Sequence, residues 1–144
     1  MRIVIAGAGE VGTHLAKMLS NEEQDIIVID KDERKLHNLD NYNLMTMQGS
    51  ALSLDALKSI QVGAADIFIA VTPHETINVI ACSMAKSLGC KKAVARIDNY
   101  EFMKPESKKF FASADTAYRH PVKHARVVVE HNPLGGGRAR VYVV

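Results

Sequence analysis

Cysteine is scarce in this sequence. Only Cys82 and Cys90 occur, one inside a helical pattern and one at a strand entry. Thiols so placed form neither a metal knuckle nor the disulfide framework of a small secreted domain, and reduced thiols are expected. Long apolar runs are also lacking. No stretch approaches the roughly 18 residues a helix needs to span a bilayer. The opening apolar stretch is short and runs straight into glycine, which argues against a signal peptide. A strong charge of one sign is missing too. The formal net charge is +2, too small to argue for nucleic acid as a partner. Lys123, Arg126, Arg138 and Arg140 against Glu130 give the stretch from Pro121 onward a net +3, so the first 120 residues carry −1. Length is the last shortage. A chain of 144 residues makes about one ordinary domain, with no room for a full substrate domain beside a cofactor domain. The expectation is a soluble cytoplasmic protein.

What the sequence has instead is alternation. Residues 2–6, RIVIA, form a β-branched run ending at glycine, which suits a buried strand. Val11, Leu15, Met18 and Leu19 then fall on one face of a helix. Residues 26–30, IIVID, make a second strand, and Asp32 caps a short helix through Leu39. Residues 44–47 read as a third strand. Ser53 caps a helix running to Ile60, and residues 66–71, DIFIAV, form a fourth strand. Ile77, Ile80, Ala81, Met84, Ala85 and Leu88 set one stripe of a longer helix that Gly89 ends. Residues 92–97, KAVARI, form a fifth strand. Residues 99–111 read as helical, with Pro105 interrupting or starting the regular part. Alternation at this spacing implies right-handed crossovers and an α/β fold: a Rossmann-like doubly wound parallel sheet in the order 3-2-1-4-5. A sixth strand lies beside the fifth if residues 114–118 supply it. Near-continuously apolar strands imply that both sheet faces are covered.

The glycines have a place in this pattern. Residues 5–12 read IAGAGEVG, a G-x-G-x-x-G that follows a strand and opens a helix. Gly7 permits the tight turn, Gly9 lets a pyrophosphate approach the backbone, and Gly12 lets helix and strand pack closely. The helix start offers free N–H groups and partial positive charge to phosphates. The competing reading is a tight turn with no ligand. Asp30 ends the second strand, 18 residues after Gly12. That fits the acidic residue expected about 20 residues on, which binds ribose hydroxyls and repels a 2′-phosphate. NAD or an adenine nucleotide is therefore favoured over NADP. Lys31 lies beside the ribose or is simply solvated. Gly49, Ser50 and Ala51 follow the third strand at the ligand edge and line the adenine pocket or form an ordinary turn. Val71 ends the fourth strand and Thr72 follows it, across the switch point from the glycine loop. Glu75 and Asn78 open the next helix, and His74 reads as a solvated loop histidine before it reads as an acid-base. Arg96 sits near the end of an apolar strand, where a buried arginine needs an anion: a nucleotide phosphate, or a carboxylate such as Asp98 or Glu75.

These segments together resemble one family. IAGAGEVG, VIDKDERKL, QGSA, DIFIAVTPHETINVIACSMAKSLG and KAVARI are similar to the N-terminal RCK or KTN domain of the TrkA regulatory proteins of Trk potassium uptake systems, over roughly residues 1–113. The resemblance implies regulation without catalysis. Such domains bind NAD(H) or ATP/ADP, assemble as homo-oligomers (dimers or higher rings), and dock beneath a TrkH-like membrane potassium transporter subunit. They are thus cytoplasmic and peripheral to the inner face of the plasma membrane through that partner, with no insertion of their own. Carried over by position, Gly7, Ala8, Gly9, Glu10, Val11 and Gly12 belong to the phosphate loop. Asp30 and Lys31 meet the adenosine ribose, and Gly49, Ser50 and Ala51 lie near adenine. Val71, Thr72 and Glu75 face the nicotinamide or terminal phosphate, and Arg96 contacts phosphates. Full-length members are longer, so this chain is expected to be a fragment. The residues agree on the missing chemistry, because no paired acid-base constellation appears on the ligand edge. A fragment of an NAD-dependent oxidoreductase, and a nucleotide-free adaptor, are the rival readings.

The resemblance degrades after Phe111. Of residues 112–121, ASADTAYRHP, only Asp115, Thr116 and Pro121 match the family pattern. Residues 114–144 form an atypical basic tail in which two valine-rich clusters flank NPLGGG. It reads as a β-hairpin or as vector-derived or frame-shifted sequence.

Overall fold

The computed structural model describes residues 1–98, together with Glu101, Glu106 and the backbone of residues 127–130 and 140–143. The expected helix over 99–111 and strand over 114–118 lie outside the described residues, apart from Glu101 and Glu106.

Strands and helices alternate as β1 (Arg2–Ala6), α1 (Glu10–Ser20), β2 (Asp25–Asp30), α2 (Glu33–Leu36), β3 (Met45–Gln48), α3 (Leu54–Ser59), β4 (Ile67–Ala70), α4 (Glu75–Ser87) and β5 (Lys92–Arg96). Short 3₁₀ turns at His37–Leu39 and Val62–Ala64 extend the second and third crossovers. Asp32 caps α2 by accepting from the Arg34 N–H, and Ser53 caps α3 by accepting from the Ala56 N–H, as short polar side chains do at helix starts. Gly89, at φ +110°, takes the left-handed turn that follows α4.

The first five strands are parallel and lie in the order β3-β2-β1-β4-β5. Beyond β5 the backbone adds β7 (Arg140–Val143) and then β6 (Val127–Glu130), both antiparallel to their neighbours. The place beside β5 is therefore held by residues 140–143.

Alternate side chains of each central strand enter two apolar layers. Ile3, Ile5, Ile26 and Val28 pack under α1 and α2 with Ala16, Leu36 and Leu39. Val4, Ala6, Ile27, Ile29 and Phe68 pack under α3 and α4 with Leu57, Ala81, Cys82 and Ala85. β3 departs from the expected burial. It is an edge strand, and Met45 is 61% exposed.

The helix faces differ as well. On α1 the expected stripe is only half buried: Leu15 and Leu19 pack on the core, while Val11 and Met18 stand in solvent. The deepest positions are Gly12 and Ala16. On α4 they are Asn78, Ala81, Cys82 and Ala85, and Ile80 is exposed. Helices that lie close to a parallel sheet seat their smallest residues against it, and larger apolar residues flank the contact.

The register brings the carboxyl ends of the strands to one edge. Ala6 pairs with Ala70, Asp30 with Gln48, and Ala70 with Ala95. At the opposite edge Asp66 ties three strands together. It accepts from the Arg2 N–H at 2.8 Å and from Lys91 Nζ at 2.6 Å. These bonds hold its carboxyl below the ordinary range, the Lys91 hydrogen bond first.

Candidate nucleotide-binding site

The three glycines differ sharply in their surroundings. Gly7 leaves β1 at φ +107°, its N–H donating to the Ile29 carbonyl at 2.9 Å. A Cβ there would lie 3.0 Å from Thr72 N and 3.1 Å from the Val71 carbonyl carbon. At Gly12 a Cβ would stand 1.8 Å from the Gly7 oxygen, so only glycine lets α1 start against β1. Gly9 is the opposite case. Its φ is −72°, and a Cβ there would meet nothing within 4 Å. The open side of Gly9 faces outward at the start of α1, where Ala8, Gly9, Glu10, Thr13 and Lys17, with Lys35 of α2, line a cleft of about 560 Å³. Free N–H groups at a helix start bind anions, and Gly9 exposes them with no side chain in the way.

Asp30 closes the other side of the loop. Its Oδ2 accepts from the Ala8 N–H at 2.6 Å, and its Oδ1 accepts from the Asp32 N–H at 2.8 Å. Its carbonyl accepts from the Gly49 N–H at 2.9 Å. The carboxylate thus fixes the glycine loop to the end of β2, and each oxygen keeps a lone pair for a further donor. Lys31 is exposed. Beyond it, Arg34 pairs with Asp32 and holds that carboxyl low.

The structure thus joins Gly7 through Gly12 with Asp30, Gly49, Val71 and Thr72. Other expected residues serve local structure. Ser50 Oγ accepts from the Leu52 N–H, and Ala51 is buried in the core with α3. Val71 is buried against the α1 side. Glu75 begins α4. Arg96 is not buried: its side chain is 32% exposed and forks onto Asp98, at 3.3 Å from Nε and 2.7 Å from Nη2. Asp98, one of the carboxylates weighed for it, is its partner here.

Asn78, expected only to open the next helix with Glu75, has a far more specific role. It is fully buried and makes every hydrogen bond an amide can make. Oδ1 accepts from Thr72 N at 2.9 Å and from the Thr72 hydroxyl at 2.7 Å, while Nδ2 donates to the carbonyls of Thr72 at 3.0 Å and Arg96 at 2.9 Å. The partners fix the amide's orientation, because an N–H faces Oδ1 and two carbonyls face Nδ2. Asparagine at the fourth helical position is a poor helix former, and that mismatch is the sequence signal of a specific bond.

Among the described residues no group of three or more His, Cys, Asp or Glu is placed to hold a metal, and no helix is long and apolar enough to cross a membrane.

A parallel sheet in this order, with a glycine loop and a strand-end carboxylate at its carboxyl edge, defines a Rossmann-type α/β domain. The chain belongs to the TrkA-N domain family, whose model matches residues 3–118. It is 38% identical over 103 residues to a Trk system potassium uptake protein TrkA homolog of Archaeoglobus fulgidus, covering 72% of this chain and 23% of that protein. It is also 38% identical over 112 residues to the Trk system potassium uptake protein TrkA of Haemophilus influenzae, covering 76% and 24%. The chain thus spans about a quarter of the length of these relatives. Among solved structures, the fold matches the AMP-bound C-terminal domain of Kef from Shewanella denitrificans, with a TM-score of 0.60 at 15% identity, over 84% of each chain. It also matches ChuY, an anaerobillin reductase from Escherichia coli O157:H7, with a TM-score of 0.55 at 14% identity, over 79% of this chain and 61% of that one. At these identities the likeness is one of fold.

Proposed function

We propose that this chain is the nucleotide-binding regulatory domain of a Trk-type potassium uptake system, and that it is not an enzyme. One observation carries the reading: Gly7 and Gly12 are closed in by backbone, whereas Gly9 has open space before it at the start of α1. A turn needs the first two; the third, at the N-cap of α1, leaves the helix start open to a ligand. NAD(H) or ATP/ADP is the nucleotide. Its pyrophosphate lies over Gly7–Gly12, its ribose meets Asp30 and Lys31, and its adenine lies by Gly49, Ser50 and Ala51. Thr72, Glu75 and Arg96 face the far end of the ligand.

Membership in the TrkA-N family supports this reading, as do the names of the relatives and the nucleotide held by the Kef domain. The partner is a TrkH-like membrane potassium transporter subunit, and the domain works as a homo-oligomer, cytoplasmic and peripheral to the membrane. Residues 1–113 form the nucleotide domain and residues 114–144 an atypical basic tail, whose strands β7 and β6 extend the sheet beyond β5. A ligand that binds two domain arrangements unequally shifts their populations without any chemical step. An oxidoreductase fragment is the weaker reading, since it rests on the fold alone. Isothermal calorimetry with NAD, NADH, ATP and ADP tests the proposal. Sub-millimolar binding of at least one, with no consumption of NADH, is expected. No heat from any of the four removes the nucleotide reading, and turnover of NADH replaces it with the enzyme.

A further inference from the structure

A continuous set of contacts runs from the glycine loop to the end of β5. Gly12 lies against the Gly7 oxygen, and Gly7 lies against Thr72 N. Thr72 is held by Asn78 through its N–H, hydroxyl and carbonyl, and the remaining Nδ2 proton goes to the Arg96 carbonyl. All four are direct hydrogen bonds, and Asn78 is fully buried. Thr72 Oγ1 also accepts from the His74 N–H at 3.3 Å, and the His74 carbonyl accepts from the Asn78 N–H at 3.1 Å. The β4–α4 loop is thereby locked to Asn78 through its backbone as well as its side chain. Past Arg96 the chain enters Ile97, a core residue, and Asp98, which pairs with Arg96.

From this geometry we infer that Asn78 is a positioning residue that couples occupancy of the glycine loop to the carboxyl end of β5. The inference rests on the nucleotide reading and adds the route by which ligand state leaves the site. The physical reason is the saturation of the amide. All four of its hydrogen-bonding positions are used, so Thr72 cannot shift toward or away from a ligand on the loop without breaking a buried bond or drawing the Arg96 carbonyl with it. Breaking is the costly alternative, since a buried polar group left unpaired loses its full solvation. The end of β5 therefore follows Thr72. Packed interiors transmit such shifts because they resist local compression.

The test is amide hydrogen exchange on the full chain, with NADH and, separately, ATP as probes, beside calorimetry of the same samples. In the unsubstituted chain a probe that binds should slow exchange both at residues 71–75 and at residues 94–98, the latter about fivefold or more. In Asn78→Asp one oxygen still accepts from Thr72, but the other faces two carbonyls, and the link to Arg96 is lost. At matched occupancy that variant should keep the slowing at 71–75 and lose it at 94–98. Equal slowing at 94–98 in both proteins overturns the inference. So does calorimetric binding with no change at 94–98 in the unsubstituted chain. No binding of either probe removes the nucleotide reading, and the coupling with it. The Nδ2 proton resonances of Asn78 provide a second readout that requires no variant. Both should stay protected and shift as the bound probe saturates, and resonances that do not move overturn the coupling.

Discussion

At Gly9 an alanine is sterically free, and at Gly12 it is not. The two positions therefore separate binding from folding. Gly12→Ala places a methyl 1.8 Å from the Gly7 oxygen and must push α1 off the sheet. It should cost about 3 kcal/mol or more, and the melting temperature should fall by roughly 10 °C. Gly9→Ala fits the extended φ of −72° with no neighbour within 4 Å. Its stability should stay within about 1 kcal/mol, while nucleotide affinity measured by calorimetry drops about tenfold or more. Equal affinities would take Gly9 out of the site. Asp30 works in both the fold and the site. Its two oxygens receive different N–H groups, so Asp30→Asn turns one of them toward an NH₂. With no ligand present the variant should lose about 1.5 kcal/mol, the worth of one hydrogen bond to a charged group. Urea titration checks this, and an unchanged midpoint would mean that the clamp on Ala8 adds nothing.

Among the elements, α4 bears most on pH. Its central Cys82 is fully buried, and burial pushes the thiol from its ordinary 9.0 to about 12. The unfolded chain releases this proton above pH 9, while the folded chain holds it to about 12. The unfolded state then binds fewer protons, so stability is intact below pH 9 and falls as pH rises from 9 to 12. One such group gives a slope of about 1.4 kcal/mol per pH unit. Cys90 is shifted in the same direction by burial. Cys82→Ala should be less stable at pH 8, because it leaves a cavity. Its stability should then decline less steeply than that of the unsubstituted chain between pH 9 and 11, by about that slope, in denaturant titrations at each pH. Parallel declines would show that the thiol ionises as easily folded as unfolded. The helices also show where periodicity misleads. The apolar stripes correctly located α1 and α4, and the α4 stripe already held Ala81 and Ala85, but Gly12 and Ala16 on α1 and Cys82 on α4 lay outside them. The small volume of such residues is what brings helix and sheet together.

For the whole molecule, strand order was legible because each apolar run is separated from the next by a helix-length segment, and right-handed crossovers leave few topologies. The glycine loop and Asp30 were legible because a strand, a turn and a helix start must meet in a fixed spacing. Burial of β3 was not, since LMTM reads alike at a sheet's centre and at its edge. The partner of Arg96 was legible only as one of two anions, a nucleotide phosphate or a carboxylate such as Asp98, the one it pairs with. The fold and the loop together predict a global response. A ligand bound only to the folded state stabilises it by mass action, about 2.7 kcal/mol at a hundred times its dissociation constant. For a domain of this size that raises the melting temperature by roughly 10 °C. NADH or ATP at such an excess should produce this shift. NADPH at the same concentration should produce much less, because its 2′-phosphate must approach the Asp30 carboxylate, whose oxygens already hold the Ala8 and Asp32 N–H groups in place and cannot turn away without releasing the glycine loop. A thermal-shift series across the three nucleotides reads this out directly. An NADPH response as large as that of NADH would place the ribose away from Asp30 and move the adenosine half of the site toward Lys17 and Lys35 of the neighbouring cleft.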